Sequence, residues 1–401
     1  GLSLIGTWMQ SVTLGWLVYR LSNSPYILGI TGALGTLPVM LFSIFGRYAA
    51  DRMNRFKLLL ITQSFAMIQA LCLAILTLTG TIKVGHVFLL SFVLGTINAF
   101  DIPARQSFVV NVVENKEDMP NAIALNSFLA NGAKLIGPSI AGILVATIGE
   151  GMCFLINALS YIAVIVALLM MDVSHITSDN FHIEKKYVIK KLQNGFMYVK
   201  NFRPIRIVVL YIAYFSIWGM LYGVLIPIFA KEIFHGNAKT LGFLVGSGGV
   251  GAIIGAIYLA SKSIHKGLGK LIHTSGIVFG IALILFSYCK VFWIGLVLLA
   301  IVGMCMVLQF VSANIILQTL VSDEKRGRVM SFYTLAVTGT QPISAYLAGL
   351  LGKIIGVQNT TLIGAILCIA GSLAFRKNYL SFIKNQQNTK QAELIKQIFI
   401  G

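Results

Sequence analysis

The sequence predicts an all-α polytopic membrane protein with twelve transmembrane helices in two pseudo-symmetric six-helix halves. Three observations lead there. The chain of 401 residues is 57% hydrophobic and only 11% charged, about half the charge of an ordinary soluble protein. Apolar runs recur from end to end, each long enough to cross a hydrocarbon core about 30 Å thick. They do not alternate as the strands of a membrane barrel would. The polar connections switch between weakly and strongly basic in step with the count of runs, as the two sides of a membrane require.

The runs cover residues 1–20, 26–47, 57–80, 85–105, 121–148, 151–171, 206–230, 239–261, 270–289, 291–318, 328–353 and 358–375. A cleaved signal peptide does not explain the first, because similar runs follow it throughout. It opens at Gly1, already apolar, so a short preceding N-terminal piece is expected. The connections after the odd-numbered spans hold only Arg20, Lys83, Lys231, Lys239, Lys290 and Lys353 of the 31 Lys and Arg residues. Apart from Lys134, the rest lie in the opposite connections and the tail. Positive charge marks the cytoplasmic side, so both termini are expected in the cytoplasm. The net charge of +18 is then an orientation signal and not the footprint of a nucleic-acid partner.

The resulting domains are an N-terminal bundle at 1–171, a cytoplasmic linker at 172–205, a C-terminal bundle at 206–375 and a cytoplasmic tail at 376–401. In the linker, Tyr187, Val188, Leu192, Phe196 and Val199 recur at helical spacing among lysines. That suits a basic amphipathic helix on the inner leaflet as well as a solvated connection. The halves echo each other: "EDMPNAIALNSFLANGAKLIGPSIAGIL" follows the fourth span and "DEKRGRVMSFYTLAVTGTQPISAYLAGLL" the tenth. Repeated halves place a substrate site near the midplane.

Glycine recurs in every third span: Gly29, Gly32 and Gly35; Gly132, Gly137 and Gly142; Gly242, Gly246, Gly248, Gly249, Gly251 and Gly255; Gly339, Gly349 and Gly352. Small residues let helices approach closely in lipid. Static packing explains any one of these helices; the recurrence favours four that slide on one another. "GSGGVG" at 246–251 matches GxGxxG, but it sits inside a span with no strand before it, which excludes a dinucleotide site. Cys72, Cys153, Cys289, Cys305 and Cys368 lie in apolar runs without CxxC spacing and are expected as free packing thiols. With no P-loop, no HExxH and scattered histidines, neither ATP use, a cofactor, a metal nor an enzyme activity is expected.

Charge inside or beside the spans carries the functional reading. "FGRYAADRMNRFKLL", 45–59, concentrates Arg47, Asp51, Arg52, Arg55 and Lys57 between two apolar runs. An acid at a helix end can meet a helix N-terminus or an Arg of the other half. A contact made in one conformation only biases a two-state equilibrium; the plainer reading is a positive-inside anchor. Asp101 is the one acid placed within a span and shares a helix face with Asn98 and Arg105, while Lys134 is the one basic residue well inside a span. Isolated charge there is costly and marks a functional candidate. Asp101 is therefore the candidate proton carrier, with Arg105 and Lys134 as partners, the alternative being a structural ion pair at the rim. Trp8, Gln10, Asn126, Asn131, Tyr214, Trp218, Tyr222, Gln309 and Asn314 are candidate cavity residues, a lining suited to a bulky amphipathic organic molecule.

"GRYAADRMNR" resembles the loop signature of the major facilitator superfamily, Gly-x-x-x-Asp-Arg-x-Gly-Arg-Arg, through Asp51, Arg52 and Arg55. Arg47 and Asn54 replace its glycines, with Gly46 beside the first. "AKLIGPSIAG", 133–142, resembles the Gly-Pro signature of proton-coupled drug exporters through Gly137, Pro138 and Gly142, with Ala133 and Ala141 in place of glycines. Together with "TWMQSVTLGWLVYRLSNSP", "DIPARQSFVV", "NAIALNS" and "RGRVMSFY", the chain resembles the branch that contains the enterobactin exporter and related multidrug–proton antiporters. The resemblance implies a monomeric secondary active exporter in a bacterial cytoplasmic membrane. It would move a siderophore or lipophilic drug by proton antiport and alternating access, with Asp51, Arg52 and Arg55 as a conformational latch. A proton-coupled importer or facilitator of the same fold is the alternative, and a membrane enzyme or non-transporting sensor a remoter one. The family's Arg-x-x-x-Gln-Gly in the fourth span has no counterpart around "SFVLGT", its Arg falling near Ser91, so the resemblance does not carry over the usual proton route. Asp51→Asn is expected to leave the amount of protein in the membrane unchanged and to cut export severely; unchanged export per molecule would reduce Asp51 to an anchor.

Overall fold

The structure is a computed structural model that describes residues 2–112, 119–171, 197–261, 267–384 and 397–399. Every regular element among them is helical: α1 (Leu2–Ser22), α2 (Pro25–Arg52), α3 (Arg55–Leu78), α4 (Val84–Val112), α5 (Met119–Ile148), α6 (Glu150–Leu169), α7 (Arg203–Gly219), α8 (Leu221–Ile228), a π-helical turn (Phe229–Ile233), α9 (Ala238–Ser261), α10 (Leu268–Tyr288), α11 (Phe292–Leu320), α12 (Asp323–Thr338), α13 (Gln341–Ile355) and α14 (Val357–Lys384).

Nine helical stretches among the described residues are long and apolar enough to cross a membrane. They coincide with nine of the twelve expected spans. The first, fifth and eleventh fall short, each for its own reason. Helix α1 carries Thr7, Gln10, Ser11 and Thr13, which dilute its apolar character. In α5 the stretch Ile136–Ile148 is apolar, and the side chains of much of the preceding part, Asn126, Asn131 and Lys134 among them, lie outside the described residues. The expected single helix 328–353 is two helices, because Pro342 in the first turn of α13 has no N–H to continue the ladder from α12. The seventh span is likewise interrupted at Met220 and closes in the π turn.

The charge cluster expected in a loop is helical up to Arg52. Ala49 and Ala50 favour helix, and the turn is reduced to Met53 and Asn54. Asn54 then starts α3 abruptly, its Oδ1 accepting from the N–H of Phe56 at 3.0 Å and of Lys57 at 3.2 Å. Such a cap is worth about 1 kcal/mol. "DEKRGR" is also helical, within α12. Most of the expected amphipathic linker lies outside the described residues. Val199 is buried, and residues 197–201 are helical.

The chain forms two compact units, Gly1–His182 with Val224–Gly246, and Ile183–Gly223 with Ser247–Gly401. Residues 224–246, which the sequence assigned to the C-terminal bundle, thus group with the first unit. In the first unit α2 packs along α4, α3 along α6 and α1 along α5. In the second, α10 packs along α11 and α14, and α14 along α7. Glycine sets how closely these backbones come. A Cβ on Gly46 would collide with the Ala99 carbonyl, and one on Gly95 would lie 2.5 Å from the Gly35 carbonyl oxygen. Gly248 and Gly251 of α9 meet Gly303 and Ala300 of α11 in the same way. These glycines hold helices together inside one unit, which is the static role. Gly142 and Gly242 differ in joining α5 to the 224–246 segment, a Cβ on either falling 2.7 Å from the other's Cα. Outward surfaces carry Leu89, Leu159, Ile257 and Trp293, an apolar exterior that suits lipid.

Gly46→Leu is expected to cost about 1–3 kcal/mol or more through overpacking. It would show as a lower thermal midpoint and yield in detergent. Gly35→Ala, whose new Cβ meets nothing within 4 Å, should match wild type.

Candidate functional site

Asp101 lies on α4 and is 2% exposed. Its Oδ1 accepts from Thr62 Oγ1 at 2.9 Å and from Gln63 Nε2 at 2.7 Å, both on α3. Its Oδ2 pairs with Arg105, one turn along α4. An ionised carboxylate offers about four lone-pair sites, so three donors nearly saturate it. A buried charge is tolerable only when paired and hydrogen-bonded in this way. The guanidinium side chain is 42% exposed, so the pair runs from the helix interior toward the surface. Protonating Asp101 would cancel the charge that holds Arg105. Sequence reading found Asp101 and Arg105 but missed Thr62 and Gln63; the signal was the polar pair in the apolar run "LLITQSFAM". Asn98, on the same face, is not bonded to Asp101 among the described residues. Ser91, near which the resemblance puts the signature's Arg, is buried with its hydroxyl unpartnered.

Two further polar knots sit deep in the units. In the first unit Asn157 on α6 donates to Gln10 Oε1 on α1 at 2.6 Å. Gln10 Nε2 donates to Gln69 Oε1 on α3 at 3.0 Å, and Gln69 Nε2 to the Leu90 carbonyl on α4 at 3.2 Å. In the second unit Gln309 on α11 donates to the Ile272 carbonyl on α10 at 2.7 Å and accepts from the Tyr211 hydroxyl on α7 at 3.0 Å. Tyr211 also meets Ser372 of α14 at 3.0 Å. The helices joined stand first, third, fourth and sixth among the expected spans, and seventh, ninth, tenth and twelfth. Gln10 and Gln309, expected along a cavity, have their amide groups engaged in these knots.

Of the other cavity candidates, Trp8, Tyr214, Trp218, Tyr222 and Asn314 are half-buried. Tyr214 and Trp218 stand one turn apart on α7 with ring centroids 6.5 Å from each other. The Tyr222 hydroxyl lies 4.0 Å from Met306 Sδ, and Asn314 accepts from Gln318 at 2.5 Å. Nothing is described of the side chains of Asp51, Asn126, Asn131 and Lys134. Arg52 stacks over the Tyr48 ring, 4.7 Å from its centroid. Arg55 Nε donates to the Ala50 carbonyl at 3.3 Å, tying α3 to the end of α2. Arg47 is exposed, and the neighbouring Gly46 lies close against the Ala99 carbonyl. In the Gly-Pro stretch, Gly137 abuts α1, a Cβ there falling 2.7 Å from Trp8 Cβ. Gly137→Leu is therefore expected to drive α5 off α1 and abolish turnover while membrane levels persist; wild-type turnover would show that the contact is dispensable.

A family model described as "Transmembrane secretion effector" matches residues 2–398. The staphyloferrin A transporter of Staphylococcus aureus (strain NCTC 8325 / PS 47) is 26% identical over 378 residues, 93% of this chain and 93% of that one. The multidrug efflux pump Tap of Mycolicibacterium fortuitum is 22% identical over 362 residues, 89% of this chain and 88% of its own. Among solved structures, a bacterial homolog of the human lysosomal transporter Spinster superposes with a TM-score of 0.76 at 13% identity, covering 96% of each chain. Nucleoside transporter NupG does so with 0.75 at 12%, covering 94% of this chain and 96% of that one. At such identities the structural likeness shows the fold alone. The family and the relatives are membrane transporters, not enzymes. From helices that bury their polar groups on one another, and a family match along nearly the whole chain, it follows that this chain belongs to the transmembrane secretion effector family of the major facilitator superfamily.

Proposed function

We propose that the protein is a secondary active exporter that moves a small organic molecule, a siderophore or a lipophilic drug, out of a bacterial cell in exchange for protons. The observation that carries the coupling is Asp101, a carboxylate on a membrane-spanning helix, held by Thr62 and Gln63 and paired with a partly exposed Arg105. Such a group exchanges a proton when the partner moves, because burial makes an unpaired carboxylate costly. Export is supported by the efflux pump Tap and a siderophore-type substrate by the staphyloferrin A transporter, both of which align along most of the chain.

In this reading twelve spans form two six-helix halves, with boundaries at 171/172 and 205/206 and both termini in the cytoplasm. Matching polar knots on corresponding helices support the repeat. The protein works as a monomer in the cytoplasmic membrane. Asp51, Arg52 and Arg55 form the latch, Gly137, Pro138 and Gly142 the flexible part of α5, and Arg105 and Lys134 join Asp101 as proton-coupling candidates. Trp8, Asn126, Asn131, Tyr214, Trp218, Tyr222 and Asn314 line the route of an amphipathic substrate. A proton-coupled importer or facilitator on the same fold is separated from this by the direction of flux in inside-out vesicles.

The test is substrate-induced proton release from purified protein, with substrates first found by an accumulation screen of labelled siderophores and drugs in cells lacking their own exporters. Wild type should release protons on binding. Asp101→Asn should not, and should lose uphill export while keeping downhill exchange. Normal release from Asp101→Asn would move coupling elsewhere. A fall in protein level with coupling per molecule unchanged would make Asp101 structural.

A further inference from the structure

Residues 224–246 group with the first unit although the chain on both sides belongs to the second. Their attachment is partly apolar: Gly142 lies against Gly242, and Ala238 packs with Val145 and Cys153. It also has a charged end. The π-helical turn Phe229–Ile233 carries Lys231 and Glu232 side by side. Single π turns are rare and gather at functional sites. Here the two residues reach two others one turn apart at the end of α1. The Tyr19 hydroxyl donates to Glu232 Oε1. Lys231 Nζ donates to Asn23 Oδ1 at 2.8 Å and stands 5.2 Å from the centre of the Tyr19 ring. The two partners differ in exposure. Tyr19 is 1% exposed, whereas Glu232 is exposed, so a buried phenol is satisfied by a carboxylate that solvent protons can reach.

Of the other charges nearby, one is ion-paired, and two, His235 among them three residues from Glu232, face solvent. Arg20 is bonded to Glu150 at 2.7 Å. His235 and Lys239, beyond the π turn, are exposed. Glu232 is thus the one carboxylate among the described residues bonded into this attachment, and it played no part in the sequence reading.

We propose that Glu232 is a second protonation site, and that its ionised form clasps residues 224–246 to α1 through Tyr19 while its protonated form lets them go. Hydrogen bonds to an ionised acceptor are roughly twice as strong as neutral ones. The attachment is therefore firmest with Glu232 ionised and weakens as acid adds a proton. The inference rests on the proton-antiport reading, in which α1 and the π turn end on the outer face and an incoming proton would free the segment.

The test uses spin labels at Ile148→Cys on α5 and Lys239→Cys on the segment, both at exposed positions. The full chain has its native cysteines replaced and is held in lipid nanodiscs without substrate. Distances are measured by electron–electron resonance from about pH 8 to about pH 3, a range that spans the ordinary carboxylate value. Wild type should pass from a short to a longer distance on acidification, the ratio of populations changing about tenfold, as expected for a neutral bond replacing a charged one. Glu232→Gln should favour the longer distance at every pH, and Tyr19→Phe should do the same if Glu232→Gln fails to fold. Glu150→Gln should keep the wild-type response. A wild-type distance indifferent to pH, a Glu232→Gln protein that responds normally, or a response lost only in Glu150→Gln would each overturn the proposal. The distances are read without transport, so the two readings fail separately. Proton-coupled export that survives Glu232→Gln with normal distances removes the clasp and leaves antiport. A responsive clasp in a protein whose export ignores the proton gradient removes antiport and leaves the clasp.

Discussion

In hydrocarbon no water stands by to satisfy a polar group, and this constraint shapes the structure. Side chains that enter the helical interior must find partners there or cost several kcal/mol, on the order of a whole domain's stability margin. The amides of Gln10, Gln69 and Asn157 do so by passing hydrogen bonds from α6 to α1 to α3. Gln309 and Tyr211 do the same for α11, α10 and α7. Each knot fixes the rotation of several helices at once, because an amide satisfied at both ends tolerates little sliding. Asp101 is the charged version of the same solution.

Close backbone approach is the second element. Apolar side chains gain little by leaving lipid for one another, so helix association relies on packing at short range. Gly46 against Ala99, and Gly251 against Ala300, remove the side chain that would keep two backbones apart. The same device between Gly142 and Gly242 holds a segment whose chain neighbours belong to the other unit. Beside it Ala238 packs on Val145 and Cys153. A bond such as that from Tyr19 to Glu232 can decide whether the segment stays.

The amino-acid sequence by itself determined the class of the molecule. Low charge, long apolar runs and the one-sided placement of Lys and Arg are properties of composition and order, and among the described residues nine of the runs reappear as membrane-length helices. The family was also legible, in "DRMNR" and "GPSIAG", because those signatures are local. Asp101 and Arg105 could be paired in advance, since a spacing of four residues puts them on one helix face. Thr62 and Gln63 could not be assigned to Asp101, nor Glu232 to Tyr19, because those pairs lie 39, 38 and 213 residues apart in the chain. Whether Gln10 faces a cavity or an amide on another helix also depends on how α1 is turned. Local breaks escaped for a subtler reason: a proline such as Pro342 splits a helix only where the following turn can start afresh, and packing decides that. Pattern along the chain fixes what each helix is, whereas the meeting of side chains across helices, which only the folded structure sets, decides which charges can act.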